Sequence, residues 1–246
     1  MDDVTKPLGR RTFLLGSAAA GLAVAAPGTG VAGASRGVAV TRSVGPFEII
    51  ALLDAAGPFF QPARDTFSGA SERDWARARR VDPAAFGPDD AWHPDFRAFA
   101  VRLPSGRFAL VDTGIGPVGS PASAWAPVPG HLLERLGEAG IARTDVELVV
   151  LTHLHEDHFG WSVSLDGVPT FPTARYVVQG TEITALEQAG DDVVLPYVVD
   201  PLRRTGQLSV VDGRSCLAER HGTRMTTEPT PGHTPRSEER RVGERV

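Results

Sequence analysis

Cysteine is nearly missing from this chain: Cys216 is the only one in 246 residues. A single thiol excludes an intramolecular disulfide, so an oxidising compartment is neither required nor ruled out, and the expected role of Cys216 is that of a small packing residue. Excess positive charge is missing as well. Lys and Arg number 25 against 30 Asp and Glu, a formal net charge of -5, which argues against a nucleic-acid partner, since binding phosphates needs a concentrated surplus of basic side chains. There is no membrane-length apolar run: residues 13–26 form an apolar stretch that falls short of the ~20 residues a spanning helix needs. No repeat of solenoid length recurs. What remains is ordinary for a soluble globular protein, with 41% hydrophobic and 22% charged residues and many turn formers, 27 Gly and 20 Pro. The length suits one moderately large domain plus a targeting segment.

The first 34 residues read as that segment. Arg10-Arg11 precedes Thr12-Phe13-Leu14-Leu15, a small-residue apolar stretch follows, and Ala32-Gly33-Ala34 ends it. Basic, apolar and A-x-A parts in that order make a signal peptide, with cleavage expected after Ala34. The paired arginines resemble the twin-arginine export signal, whose pathway carries folded proteins; a plain secretory signal is the alternative. Either places the mature protein outside the cytoplasm, in periplasm or medium, with no stable membrane insertion once the signal is removed.

Further along, residues 48–54 are expected to form a strand. Phe99, Val101 and Leu103 alternate with Ala98, Ala100 and Arg102, and Pro104-Ser105-Gly106 turns the chain into residues 108–112, predicting a hairpin. Leu132, Leu133, Leu136 and Ala139 share one helical face, with Gly140 where a left-handed cap belongs. Residues 146–151, apolar apart from Glu147, form a run of the kind buried on both faces of a parallel sheet. A strand over 174–179, a helix over 181–189, and strands over 208–212 and 224–227 follow. Strands alternating with helices after an antiparallel start predict a mixed α/β fold. Residues 57–93, holding Phe59, Phe60, Trp75 and Trp92, are expected to be irregular, packing their aromatics against the core or roofing a pocket.

Directly after the buried run stands Thr152-His153-Leu154-His155-Glu156-Asp157-His158-Phe159-Gly160, in a chain with seven histidines. Alternate residues leaving a strand point the same way, so His153 and His155 can converge on one cation. Asp157 and His158 fall in the following turn, where a change of chain direction can aim them at a second cation. Imidazole with carboxylate suits zinc, while iron or manganese remain possible. Far along the chain, Thr230-Pro231-Gly232-His233-Thr234-Pro235 presents one histidine on a stiffened loop. It supplies the third nitrogen ligand that the His153 and His155 pair lacks.

The ordered set Val111-Asp112-Thr113-Gly114, residues 152–160, and Pro231-Gly232-His233-Thr234 resembles the successive motifs of the metallo-β-lactamase superfamily, over about residues 44–235. The resemblance implies an αβ/βα sandwich in which His153, His155 and His233 hold the first of two divalent metal ions and Asp157 and His158 the second. Asp112 would brace them from behind. It further implies a hydrolase that acts on a small-molecule substrate: water shared by the two metals attacks an ester-like bond, with Asp157 orienting it as the catalytic side chain. Gly160-Trp161, Asp166-Gly167, Phe171-Pro172 and Ala174-Arg175-Tyr176-Val177-Val178 look most like the lactonase and organophosphate-hydrolase members, making a lactone the leading substrate. The Asp157-His158 pair argues against branches that use a cysteine at the second metal.

Family members continue past the Pro-Gly-His loop with strands carrying a bridging Asp and a last His. This sequence instead ends in a charged segment, residues 236–246, expected to be either a non-native or a disordered, solvated tail. The expected domain is therefore residues 35–235, a sandwich with an incomplete second half. The alternative reading is a non-catalytic or inactive metal-binding protein of the same fold. Oligomeric state is not legible.

Overall fold

A computed structural model describes residues 39–88, 91–126, 128–230, and 233 and 234. The expected export signal over residues 1–34, Pro231, Gly232 and Pro235 of the histidine loop, and the 236–246 tail lie outside the described residues.

The chain divides into two compact units. Among the described residues, one is residues 57–94; the other combines residues 39–56 with those from Asp95 to Thr234. The second unit is built on a seven-stranded sheet whose strands lie side by side in chain order: β1 (Ala39–Val44), β2 (Phe47–Ala56), β3 (Asp95–Arg102), β4 (Phe108–Val111), β5 (Val146–Val150), β6 (Arg175–Gln179) and β7 (Leu208–Val211). The first three pairings are antiparallel and those from β4 to β7 parallel. The mixed α/β expectation holds, and so does its antiparallel start. Parallel pairs need crossovers. These are supplied by helices, which in this unit are α3 (Leu132–Glu138), α4 (Glu156–Phe159), α5 (Gly180–Ala189), and a π-helical turn (Leu195–Val199) running into α6 (Asp200–Arg204).

One face of the sheet buries Leu52, Ala98, Leu110, Val149 and Tyr176 beneath helical residues Leu132, Leu136, Ile183, Val198 and Leu202. The other buries Phe47, Val101, Ala109, Leu148, Val150 and Val177, with Leu217 and Met225 packed against them from a separate hairpin, β8 (Ser215–Arg220) and β9 (Thr223–Thr227). Helices thus cover one face and a second, two-stranded sheet the other. β5 sits between parallel partners with Leu148, Val149 and Val150 all buried, as the apolar run from Leu148 predicts. Gly140 caps α3 in the left-handed conformation (φ 70°), and the Ile141 N–H closes back on the Leu136 carbonyl.

Three expectations need correction. The 57–93 segment is not irregular throughout: α1 (Ala63–Thr66) and α2 (Glu72–Val81) form in it, and Ser71 and Asp74 make a reciprocal capping box at the start of α2. α2 is rich in arginine and buries only Trp75, so apolar periodicity gave no sign of it. In this unit Phe67 and Phe86 flank Trp75, and Phe59 and Phe67 flank Trp92, so the aromatics pack on one another. Cys216 is not packed but exposed on β8, because a two-stranded hairpin leaves one face to solvent. β1 and β8 were not anticipated; β1 is largely exposed, β8 is mostly half-buried, and neither has a strong apolar alternation. Among the described residues no helix is long and apolar enough to cross a membrane.

Candidate metal centre

The site lies where the parallel strands β4 and β5 end, the crevice in which open α/β sheets place their chemistry. β4 releases the chain at Asp112, whose N–H still bonds to the Val150 carbonyl, and β5 releases it into residues 151–155. Asp112 takes a left-handed backbone conformation (φ 58°), rare for a residue with a side chain. Its carboxylate is fixed in return: the Thr152 N–H donates to Oδ1 at 2.8 Å, and the Thr152 hydroxyl lies 3.0 and 2.9 Å from Oδ1 and Oδ2.

The hydroxyl has one proton. With that proton on Asp112, the contact of 3.1 Å between Thr152 Oγ1 and His153 Nδ1 must be a donation from the ring, leaving the Nε2 lone pair of His153 free. That Nε2 sits 3.1 Å from His155 Nδ1, so two acceptor nitrogens converge. His233 joins them: ligand atoms of His153, His155 and His233 all lie within 4.8 Å of one another. Burial, reinforced by neighbouring imidazoles, pushes His153 down to about 2 and His155 to about 4. Both rings are therefore neutral at physiological pH, the form in which imidazole ligates a cation. Three converging imidazoles, with His153 and His155 held neutral, suit a divalent ion, zinc foremost.

His158 has a different character. Its Nδ1 lies 2.8 Å from Asp112 Oδ2 and its Nε2 3.4 Å from Asp157 Oδ2. Burial opposes its charge, but the two carboxylates outweigh burial and raise His158 to about 10. Burial likewise opposes Asp157, and His158 outweighs it, carrying that carboxyl down to about 2. His158 is thus an imidazolium clamped between two acids, with its ring centroid 3.9 Å from that of His153. Because its folded value stands above the ordinary 6.5, it contributes stability that is fully present below pH ~6.5 and lost as pH rises through about 10. We expect the urea midpoint of the metal-free protein to fall across that window and the fall to be much smaller in His158→Asn. Equal slopes in the two proteins would contradict this assignment.

The sequence reading placed Asp112, His153, His155, Asp157, His158 and His233 in one site, and all six do meet here. Those reading as the first cation's ligands form the tight group; Asp157 and His158 stand beside it, paired with each other.

The reading missed Asp54. This carboxylate, 1% exposed near the end of β2, accepts the N–H of Ile115 and of Leu132 at 2.7 Å each and the indole N–H of Trp161 at 3.1 Å. Burial raises its pKa against those donors. It fixes the loop after Asp112, and that loop clamps the end of the histidine motif: the Thr113 N–H donates to the His158 carbonyl and the Gly160 N–H to the Gly114 carbonyl. Gly160 is required by the contact, since a Cβ there would lie 2.2 Å from the Ile115 carbonyl carbon. The available signal was an acid inside the apolar run Ile49-Ile50-Ala51-Leu52-Leu53-Asp54-Ala55.

The sequence profile of the metallo-beta-lactamase superfamily matches residues 97–242. No curated protein matches the chain. Among solved structures, a hydrolase named AbOPH in the beta lactamase superfamily is 20% identical, covering 71% of this chain and 60% of its own, at a TM-score of 0.51. AidC, a dizinc quorum-quenching lactonase, is 20% identical over 71% of this chain and 61% of its own (TM-score 0.50). A probable metal-dependent hydrolase from Staphylococcus aureus is 16% identical over 78% and 64% (TM-score 0.56). The chain thus spans less than two thirds of the length of each, and at these identities the likeness concerns the fold.

Proposed function

This chain belongs to the metallo-β-lactamase superfamily, and we propose that it is a metal-dependent hydrolase of ester-like bonds, with lactones the leading substrate class. The observation that carries the reading is the convergence of His153, His155 and His233, with ligand atoms within 4.8 Å of one another, beside Asp157 and His158. The three imidazoles would hold one divalent cation and the Asp157 and His158 side chains a second, His158 giving up its Nε2 proton on binding. Divalent ions in such a site acidify a water and polarise the bond to be cleaved. Asp157 Oδ2 would accept a hydrogen bond from the attacking water and orient it. Asp112 and Thr152 would keep the His153 ring turned with Nε2 inward. No serine or cysteine nucleophile is needed.

The lactone preference rests on residues 160–178 and on the resemblance to lactonases. Zinc-loaded protein should hydrolyse lactones faster than phosphotriesters or β-lactams, and a chelator should abolish the activity. Protein that binds zinc yet is inert to all three classes would overturn it. One observation favours a second reading, a metal-binding protein without catalysis: among the described residues, the groups positioned to share one ion are the three histidines alone. Inertness with one tightly held zinc would support that reading. Export through a twin-arginine signal at residues 1–34 belongs to the same proposal, and retention of the protein in the cytoplasm after Arg10→Lys with Arg11→Lys would support it.

A further inference from the structure

His153 and His155 sit on residues 151–155, which lack regular secondary structure, and so do the described residues around His233, 228–230 and 233–234. Neither stretch is held by a strand ladder. Something must keep the two at a fixed separation if three nitrogens are to meet one ion, because cation affinity depends on ligands being arranged before binding.

We infer that Glu182 is a positioning residue that ties these two stretches together and so presets the three-histidine site. Glu182 stands in the first turn of α5, a helix anchored to the core through Ile183. Its Oε2 accepts the backbone N–H of Leu154, the residue between His153 and His155, at 3.4 Å. The same carboxylate accepts the side-chain hydroxyl of Thr234, the residue after His233. One helix-borne side chain therefore holds a residue adjacent to each of the three histidines, Leu154 by its peptide N–H and Thr234 by its hydroxyl. Burial raises the Glu182 carboxyl pKa, which is consistent with its lying inside the site's wall. Leu154 is itself buried, so its N–H has little access to water and needs a protein acceptor. No ligand role for Glu182 is implied, since it acts through the histidines.

The inference rests on the reading of His153, His155 and His233 as a cation site. The test is zinc affinity by chelator competition on the whole protein, with Glu182→Ala, Glu182→Gln, and Glu187→Ala as a control on the same helix, where Glu187 pairs with Arg203. Cobalt(II) absorption spectra and metal-free thermal melts accompany each. Glu182→Ala should weaken zinc binding by about 10-fold to 100-fold and alter the cobalt spectrum. Glu182→Gln keeps an acceptor for Leu154 and can donate to Thr234, so it should recover most of the affinity. Glu187→Ala should bind zinc like the parent. Parent-like affinity in Glu182→Ala would overturn the inference. So would a loss that Gln does not rescue and that follows a matching fall in the metal-free melting temperature. A parent protein that binds neither zinc nor cobalt would overturn the cation site itself, and this inference with it.

Discussion

Replacing His153 with alanine is expected to weaken zinc binding by at least ~100-fold and to remove any zinc-dependent hydrolysis. A structural zinc site of four ligands is worth ~10–16 kcal/mol, so one nitrogen accounts for roughly 3 kcal/mol, or about two decades in Kd. His153 should lie at the severe end. It is the most buried of the three rings, its Nε2 faces His155 Nδ1 at 3.1 Å, and its Nδ1 is braced by Thr152 and through it by Asp112. His233→Ala should cost less, because that ring is exposed and water can take its place. Equilibrium dialysis against buffered zinc reads both effects. Equal affinities in parent and His153→Ala would mean that the histidines gather without serving a cation.

The second large effect is on folding. Asp54→Ala should destabilise the metal-free protein by about 3 kcal/mol, because it leaves the N–H groups of Ile115, Leu132 and Trp161 without their acceptor, and orphaned buried donors cost ~1–3 kcal/mol each. Part of that loss is offset, since burying the Asp54 carboxylate is itself unfavourable, as its raised pKa records. Asp54→Asn keeps one acceptor oxygen and should lose less. Because stability of a domain totals only ~5–15 kcal/mol, the alanine variant should unfold at clearly lower urea. A change under about 1 kcal/mol would show that water replaces the carboxylate and that Asp54 does not hold the loop.

These two residues mark what was and was not readable before folding. His153 was legible because metal chemistry leaves a dense local signature: His153, His155, Asp157 and His158 fall within six positions, directly behind an apolar run long enough only for a buried strand. Asp112 and His233 were legible through the family motifs around them. Asp54 and Glu182 were not, because each acts across the fold, on residues 61 and 28 positions away respectively; the one local sign of Asp54 was its place inside an apolar run, and nothing local sets Glu182 apart from an acid on a solvated face. The sheet was likewise clearest where burial is two-sided, at β5, and least clear at β1 and β8, whose exposed sides carry no constraint on side-chain type. α2 was missed because a capping box and one tryptophan specify it, with almost no apolar stripe.

X-ray absorption at the zinc edge, on protein loaded with one equivalent, reads directly whether His153, His155 and His233 hold a divalent cation. The prediction is a shell of nitrogen scatterers at ~2.0–2.1 Å with the multiple-scattering pattern of imidazole from about three rings, reduced by one in His153→Ala. A sulfur scatterer at ~2.3 Å, which could come only from Cys216 or a methionine, or a shell of oxygens without imidazole, would contradict it.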